Sequence, residues 1–113
     1  MPHTHAARRA DQRRAPREAV DVRSLIWGGR LAPSPALIVN ISPYGCMVRT
    51  DERVKIGQSL TVDMPGVGSL NGQVIWSLDA RIGIEFDEMI PLDDYLAMMS
   101  QMTENAPPFS VLE

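Results

Sequence analysis

Two short stretches of the sequence carry side chains whose types and spacing could bind a ligand. The first is RRAPR at positions 13–17, whose outer arginines stand four positions apart, and the second is NISPYG at positions 40–45. Guanidinium groups bind phosphate oxygens and purine edges through paired hydrogen bonds, and they stack on aromatic rings. Asn and Ser beside Pro and Gly are also ordinary turn residues. NISPYG therefore has two interpretations, a hairpin turn or part of a site.

Basic charge is concentrated in the first part of the chain. Residues 1–30 contain seven of the eleven basic residues, all arginine, against three acidic residues, so this segment carries about +4 and the remainder about −7. This distribution favours a small anionic ligand, because proteins that bind DNA or RNA usually spread basic charge over the folded body. A single-stranded nucleic-acid binder would also need exposed aromatic side chains. Since only 5% of the residues are aromatic, we expect no DNA or RNA partner.

No catalytic or metal-binding set can be assembled from the sequence. Ser42 lacks the glycine pattern of a nucleophile elbow, and the two histidines, His3 and His5, lie close to the first residue. Cys46 is the single cysteine, so it forms no internal disulfide, and no second cysteine or histidine cluster joins it to hold a metal. We therefore predict a protein that is not an enzyme and that has neither metal nor cofactor.

Alternating apolar residues predict the elements that must position these stretches. Six segments alternate with a period of two and are separated by turn signals every eight to twelve residues. They are 20–26, 36–41, 46–50, 59–64, 70–78 and 81–86. This pattern is typical of an all-β antiparallel barrel or sandwich. Trp76, within the fifth strand, is assigned to the core.

The spacing of apolar residues changes after position 90. Five side chains recur at helical spacing and predict one amphipathic helix at 91–102 that closes the barrel through its apolar stripe. They are Leu92, Tyr95, Leu96, Met99 and Met102. Charge runs without apolar periodicity predict a flexible basic arm at 1–12, and Pro107-Pro108 indicates a disordered tail at 103–113. The domain itself is expected to span 13–102.

The longest apolar runs are only a few residues long, and the first residues include His and Arg rather than an apolar leader. We therefore predict a cytoplasmic protein without membrane insertion.

The two stretches and the six-strand pattern together resemble the PilZ domain family. The marks of that family are R-x-x-x-R on the N-terminal segment and [D/N]-x-S-x-x-G on the turn after the second strand. Here they are RRAPR and NISPYG, followed by the late strands GQVIW and RIGIEF. The resemblance extends over roughly residues 13–102. It implies a six-stranded antiparallel β-barrel with a C-terminal helix.

The resemblance also implies a ligand, the bacterial second messenger cyclic di-GMP, and the residues that bind it. Arg13 and Arg17 would bond its phosphates or guanines, with Asn40, Ser42 and Gly45 supplying the other half of the site. Asn40 would bond a guanine edge, Ser42 a phosphate or base, and Gly45 would provide either a positive φ or room for the ligand.

Two further residues belong to the site by the same resemblance. Arg14 would add a phosphate contact, and Gly83 would let a base approach the barrel wall. One alternative stays open within the arm, because Arg9 and Arg13 have the same spacing as Arg13 and Arg17. The later pair is preferred because it adjoins the first strand.

The implied function is that of a receptor module whose surface changes on binding cyclic di-GMP and so regulates an unidentified effector protein. The alternative is an adaptor with the same barrel that binds a protein and no nucleotide. The two arginines favour the receptor.

Overall fold

Six antiparallel strands and one helix follow each other along the chain in this computed structural model, which describes residues 17–104. The strands are β1 (Glu18–Gly28), β2 (Leu31–Ser42), β3 (Gly45–Arg49), β4 (Ser59–Met64), β5 (Gly68–Leu78) and β6 (Arg81–Phe86), and the helix is α1 (Leu92–Glu104). Arg13, Arg14 and the predicted arm at 1–12 lie outside the described residues, as do positions 105–113 of the predicted tail.

The strands close into a barrel in the order β1-β2-β3-β6-β5-β4. Closure is made by a short antiparallel seam, in which Ile26 of β1 is opposite Val62 of β4 and Trp27 is opposite Thr61. The ring of strands is closed, although the stretches of β1 before Ile26 and of β2 before Leu37 pair on one side only. The predicted six-stranded antiparallel barrel with a C-terminal helix is confirmed.

Alternation along the strands sends apolar side chains into the barrel. Ile26, Ile38 and Val48 are fully buried there, and Val62 and Ile84 belong to the same buried cluster. Removing such a side chain from water stabilises a fold by about 1.5–3 kcal/mol. The interior is therefore a packed core, and any ligand must be bound on the outside.

Strand β2 begins five residues earlier than predicted and includes Pro33 and Pro35. Proline lacks the N–H that a strand shared by two neighbours must donate. Pairing with β3 reaches only as far as Leu37, so the first part of β2 has a neighbour on one side, and alternate residues need no donor there.

Helix α1 covers one end of the barrel with a different face from the one predicted. Tyr95 and Met98 are buried, whereas Leu92 and Leu96 are 62% and 56% exposed, so their assignment to the core was wrong. The Tyr95 hydroxyl donates a hydrogen bond of 3.3 Å to the Ile41 carbonyl of β2, which fixes the rotation of the helix. No helix in residues 17–104 is long and apolar enough to cross a bilayer.

Candidate ligand-binding face

The turn between β2 and β3 is held by its own hydrogen bonds and by the chain that follows β6. Ser42 is opposite Gly45, and the buried Ser42 Oγ accepts a 3.2 Å hydrogen bond from the Tyr44 N–H. The Pro43 carbonyl accepts from the N–H of Ile90 at 2.8 Å. NISPYG is therefore a hairpin turn with a fixed backbone, which is what a preformed half of a site requires.

Asn40 lies just before this turn, at an irregular point of the sheet. The pairing of β2 shifts register between Ile38 and Asn40 on the β3 side, and it is irregular at the same level on the β1 side. Bulges of this kind re-aim side chains. The Asn40 Oδ1 atom is buried and has no hydrogen-bond partner among residues 17–104. A buried acceptor without a donor costs about 1–3 kcal/mol, so a ligand N–H at this point would remove a penalty.

Arg17 lies next to the turn, as its position before the first strand predicted. Glu18 is opposite Ile41, which places Arg17 at the level of Ser42. Burial raises the pKa of the Cys46 thiol to about 12, and the positive charge of Arg17 acts in the opposite direction, so the guanidinium lies close to the start of β3. Arg17 is itself exposed. The structure thus brings Arg17 to the same end of the barrel as Asn40 and Ser42.

One row of paired residues crosses the outer surface of five strands and includes two predicted site residues. From β1 to β5 it reads Ala19, Asn40, Met47, Gly83 and Trp76. Neighbouring strands lie about 4.8 Å apart, so Asn40 and Gly83 are separated by roughly 10 Å with Met47 between them. Asn40 and Gly83 therefore belong to one continuous face.

The indole of Trp76 covers Gly83. A methyl group at position 83 would overlap the Nε1, Cε2 and Cδ1 atoms of this ring, so the glycine makes room for Trp76. The assignment of Trp76 to the core was wrong, because β5 carries one extra residue, Ile75, between the partners of Ile84 and Gly83. The bulge turns Trp76 outward, where it is half-buried and presents an aromatic surface at the end of the row.

The PilZ domain family matches residues 8–102. The chain belongs to that family. Among solved structures, the PlzA protein of Borreliella burgdorferi, determined in complex with c-di-GMP, is similar over 77% of this chain with a TM-score of 0.58 and 20% identity. This chain spans 39% of the PlzA chain, so the likeness concerns the fold of one part of it. No curated protein matches the sequence.

Within this PilZ domain the packing of neighbouring strands requires a glycine at position 45. Gly45 is not among the glycines with positive φ, and a methyl group there would run into the Ile84 carbonyl oxygen of β6. The close approach that requires a glycine is thus that of the neighbouring strand. Of the two roles predicted for Gly45, a positive φ is therefore absent, and room for the ligand stays a prediction.

Within residues 17–104, the outer face next to the β2–β3 turn combines a cation at Arg17, an Asn40 amide oxygen without a hydrogen-bond partner and an aromatic ring at Trp76. Cys46 is buried and protonated at physiological pH, because burial raises its pKa to about 12. Within residues 17–104 no three His, Cys, Asp or Glu side chains come together as ligands of a metal ion would. Charge-assisted hydrogen bonds and stacking are the interactions that this face offers.

Proposed function

We propose that this PilZ domain is a receptor for cyclic di-GMP. The observation that carries the proposal is the placement of Arg17 beside the turn whose Asn40 Oδ1 is buried without a donor. Family membership supports the same ligand, and PlzA, which shares the fold, was determined with c-di-GMP bound.

Each part of the nucleotide has a counterpart on the face. The phosphodiester groups take charge-assisted hydrogen bonds from Arg17 and, in this proposal, from Arg13 and Arg14 as well. A guanine N–H donates to Asn40 Oδ1, and the Ser42 hydroxyl bonds a phosphate or base. A guanine that extends along the outer row meets the Trp76 indole above Gly83. The ligand thereby joins the segment before β1 to the β2–β3 turn.

The output of the receptor is the surface that forms when the nucleotide is bound. A separate effector protein reads this combined surface, and the protein works in the cytoplasm, where the nucleotide is made. Ordering a chain segment on a ligand costs several kcal/mol of the interaction energy. We therefore expect a dissociation constant in the micromolar range, equivalent to about −8 kcal/mol.

Replacing Arg17 tests this proposal. Arg17→Ala removes a charge-assisted contact, whose loss costs about 1.5–3 kcal/mol, and the affinity for cyclic di-GMP is expected to fall about 10- to 100-fold. Calorimetric titration measures this change, with GMP and a mixed cyclic dinucleotide as ligand controls. Arg30→Ala is the matched control, because Arg30 is exposed in the turn at the other end of β1.

Equal affinity in the two variants would contradict the assigned role of Arg17. If cyclic di-GMP gives no heat with the unaltered protein at 100 μM or above, the receptor proposal is wrong, and the adaptor that binds protein alone replaces it.

A further inference from the structure

A second row of paired residues crosses the outer face farther from the β2–β3 turn, two positions along β3, β6 and β5 from Met47, Gly83 and Trp76. It reads Arg23, Leu37, Arg49, Arg81 and Leu78 from β1 to β5. Three of its five members are arginines, and all three side chains are exposed. Positive charge is thus concentrated on the strip formed by these five residues. By contrast, residues 31–113 carry a net charge of about −7.

The three arginines lie close to one another without acidic partners. Arg49 and Arg81 are directly opposite each other in the β3–β6 pairing, and like charges in that position destabilise a sheet. Among residues 17–104, none of the three forms an ion pair or side-chain hydrogen bond, although Asp51 and Asp79 lie at the margins of the strip. The folded protein therefore retains a repulsive pair that a bound anion would neutralise.

The strip is also concave. Two adjoining cavities of about 450 and 570 Å³ meet at Arg49 and Ala80 and form one groove across β1, β2, β3, β6 and β5. Apolar side chains line it at both ends, with Leu78 being 69% exposed. They are Met47, Trp76 and Leu78 in one cavity and Pro35 and Leu37 in the other. We call this groove the arginine groove.

We propose that the arginine groove docks an acidic, extended segment of a partner protein. The groove crosses several strands, with Arg23 about 10 Å from Arg49 at the backbone, so it is longer than a single anionic group. Carboxylates on alternate residues of an extended chain are about 7 Å apart, and long arginine side chains can reach both. Apolar residues on the same face of the segment, at either side of these carboxylates, pack on Leu37, Leu78 and Trp76.

This inference rests on the proposed function, in which the bound nucleotide completes the surface that the effector reads. Arg23, Arg49 and Arg81 lie outside the set assigned to the nucleotide, so docking of the acidic segment alone is measurable without cyclic di-GMP. Met47 and Trp76 line the arginine groove and also belong to the row that includes Asn40. A partner docked here would contact the nucleotide site along one side. The effector of the proposed receptor is therefore expected to present glutamate or aspartate residues interspersed with apolar ones.

The test uses the full chain and a fluorescein-labelled peptide read by fluorescence anisotropy without nucleotide. On one face of the extended peptide, at every second position, two glutamates are flanked by leucines, and serines occupy the other face. The same peptide with glutamine in place of glutamate is the control ligand. Double substitution R49Q with R81Q is compared with R30Q with R53Q, which removes the same charge from exposed arginines outside the arginine groove.

We expect the glutamate peptide to bind at least tenfold more tightly than the glutamine peptide and to weaken as salt is added. The first double variant should lower its affinity at least tenfold and the second less than twofold. Equal binding of both peptides, or equal loss in both double variants, would overturn the proposal. A tenfold loss of cyclic di-GMP affinity in the first variant without peptide binding would also overturn it, because the arginine groove would then belong to the nucleotide site.

Thermal melting supplies a second readout. Relief of the Arg49–Arg81 repulsion should leave the melting temperature of the first double variant unchanged or higher. A lower melting temperature than in the second double variant would show that the two arginines stabilise the barrel, and it would contradict a docking role. Neither readout involves Arg17, so failure here is distinct from failure of the nucleotide proposal.

Discussion

At position 83 the absence of a side chain determines where the indole of Trp76 lies on the outer face. The Trp76 indole occupies the space that a methyl group on Gly83 would need, so the two residues act as one unit of the surface. Asn40 is the second notable residue of this face, because its buried Oδ1 atom accepts no hydrogen bond from residues 17–104. Both features belong to the proposed nucleotide face.

Gly83→Ala is expected to push the indole away from β6 and to lower the free energy of unfolding by about 1–3 kcal/mol. In a Trp76→Leu background the same substitution should cost at least 1 kcal/mol less, because the overlapping atoms are gone. Urea unfolding of the four proteins measures the cycle, and tryptophan fluorescence in a Trp27→Phe background reports the displacement of Trp76.

Gly45→Ala is the matched control for that cycle. Its added methyl group meets the Ile84 carbonyl, which is backbone, so its cost should be the same with Trp76 or with Leu at position 76. If the cost of Gly83→Ala is also the same in both backgrounds, then the indole does not depend on the glycine.

At the scale of the element, helix α1 has two apolar faces of similar spacing, and the sequence alone does not show which one packs on the barrel. Leu92 and Leu96 fall at helical spacing with Tyr95 and Met99, and so does Met98. Hydrophobicity does not distinguish a leucine from a methionine at these positions. The hydrogen bond from Tyr95 to Ile41 and the fit of Met98 into the barrel end decide the rotation, and both depend on tertiary contacts.

Two substitutions in α1 test this rotation. Met98→Ala is expected to lower the free energy of unfolding by about 2–5 kcal/mol, because Met98 is fully buried. Leu96→Ala should change it by less than about 0.5 kcal/mol, because more than half of that side chain is exposed. Chemical denaturation of the two variants gives both values. The reverse order would mean that the helix packs through Leu92 and Leu96 after all.

Strands were easier to predict from the sequence than the positions of single side chains. Alternation identified all six strands, since each has an interior and a solvent face, and β4 and β6 agree with the predicted bounds. The bulge at Ile75 is not visible in the sequence pattern. Strict alternation along β5 therefore predicted, wrongly, that Trp76 faces the core. The position of Arg17 near Ser42 could be predicted because Arg17 directly precedes β1. The packing of Trp76 over Gly83 and the arginine groove could not be predicted, because both depend on the register between strands.

At the scale of the whole molecule, closure of the barrel keeps water from Cys46. Burial raises the pKa of its thiol from 9.0 to about 12, so the folded protein keeps a proton that the unfolded chain releases above pH 9. The contribution of the protonated Cys46 thiol to the free energy of unfolding is therefore complete below pH 9, and it is lost as the pH rises from about 9 towards 12.

Cys46→Ala tests this dependence. The unaltered protein should lose up to about 1.4 kcal/mol of unfolding free energy per pH unit above pH 9 from this group, and the variant should lack that contribution. Urea titrations at pH 8 and pH 10 compare the slopes. Tyr95 has a raised pKa as well, caused by burial and then by Glu18, and its contribution is common to both proteins. Identical slopes in the two proteins would contradict a buried, protonated thiol.

A closed barrel also affects how the sequence can diverge. Where its strands pair on both sides, the described barrel offers partners no free backbone edge, so recognition there rests on outward side chains. These can change with little effect on stability, because exposed substitutions usually cost less than about 0.5 kcal/mol. Outward residues can therefore diverge more freely than the inward residues that Ile26, Val48 and Ile84 represent, because replacing a buried side chain costs stability.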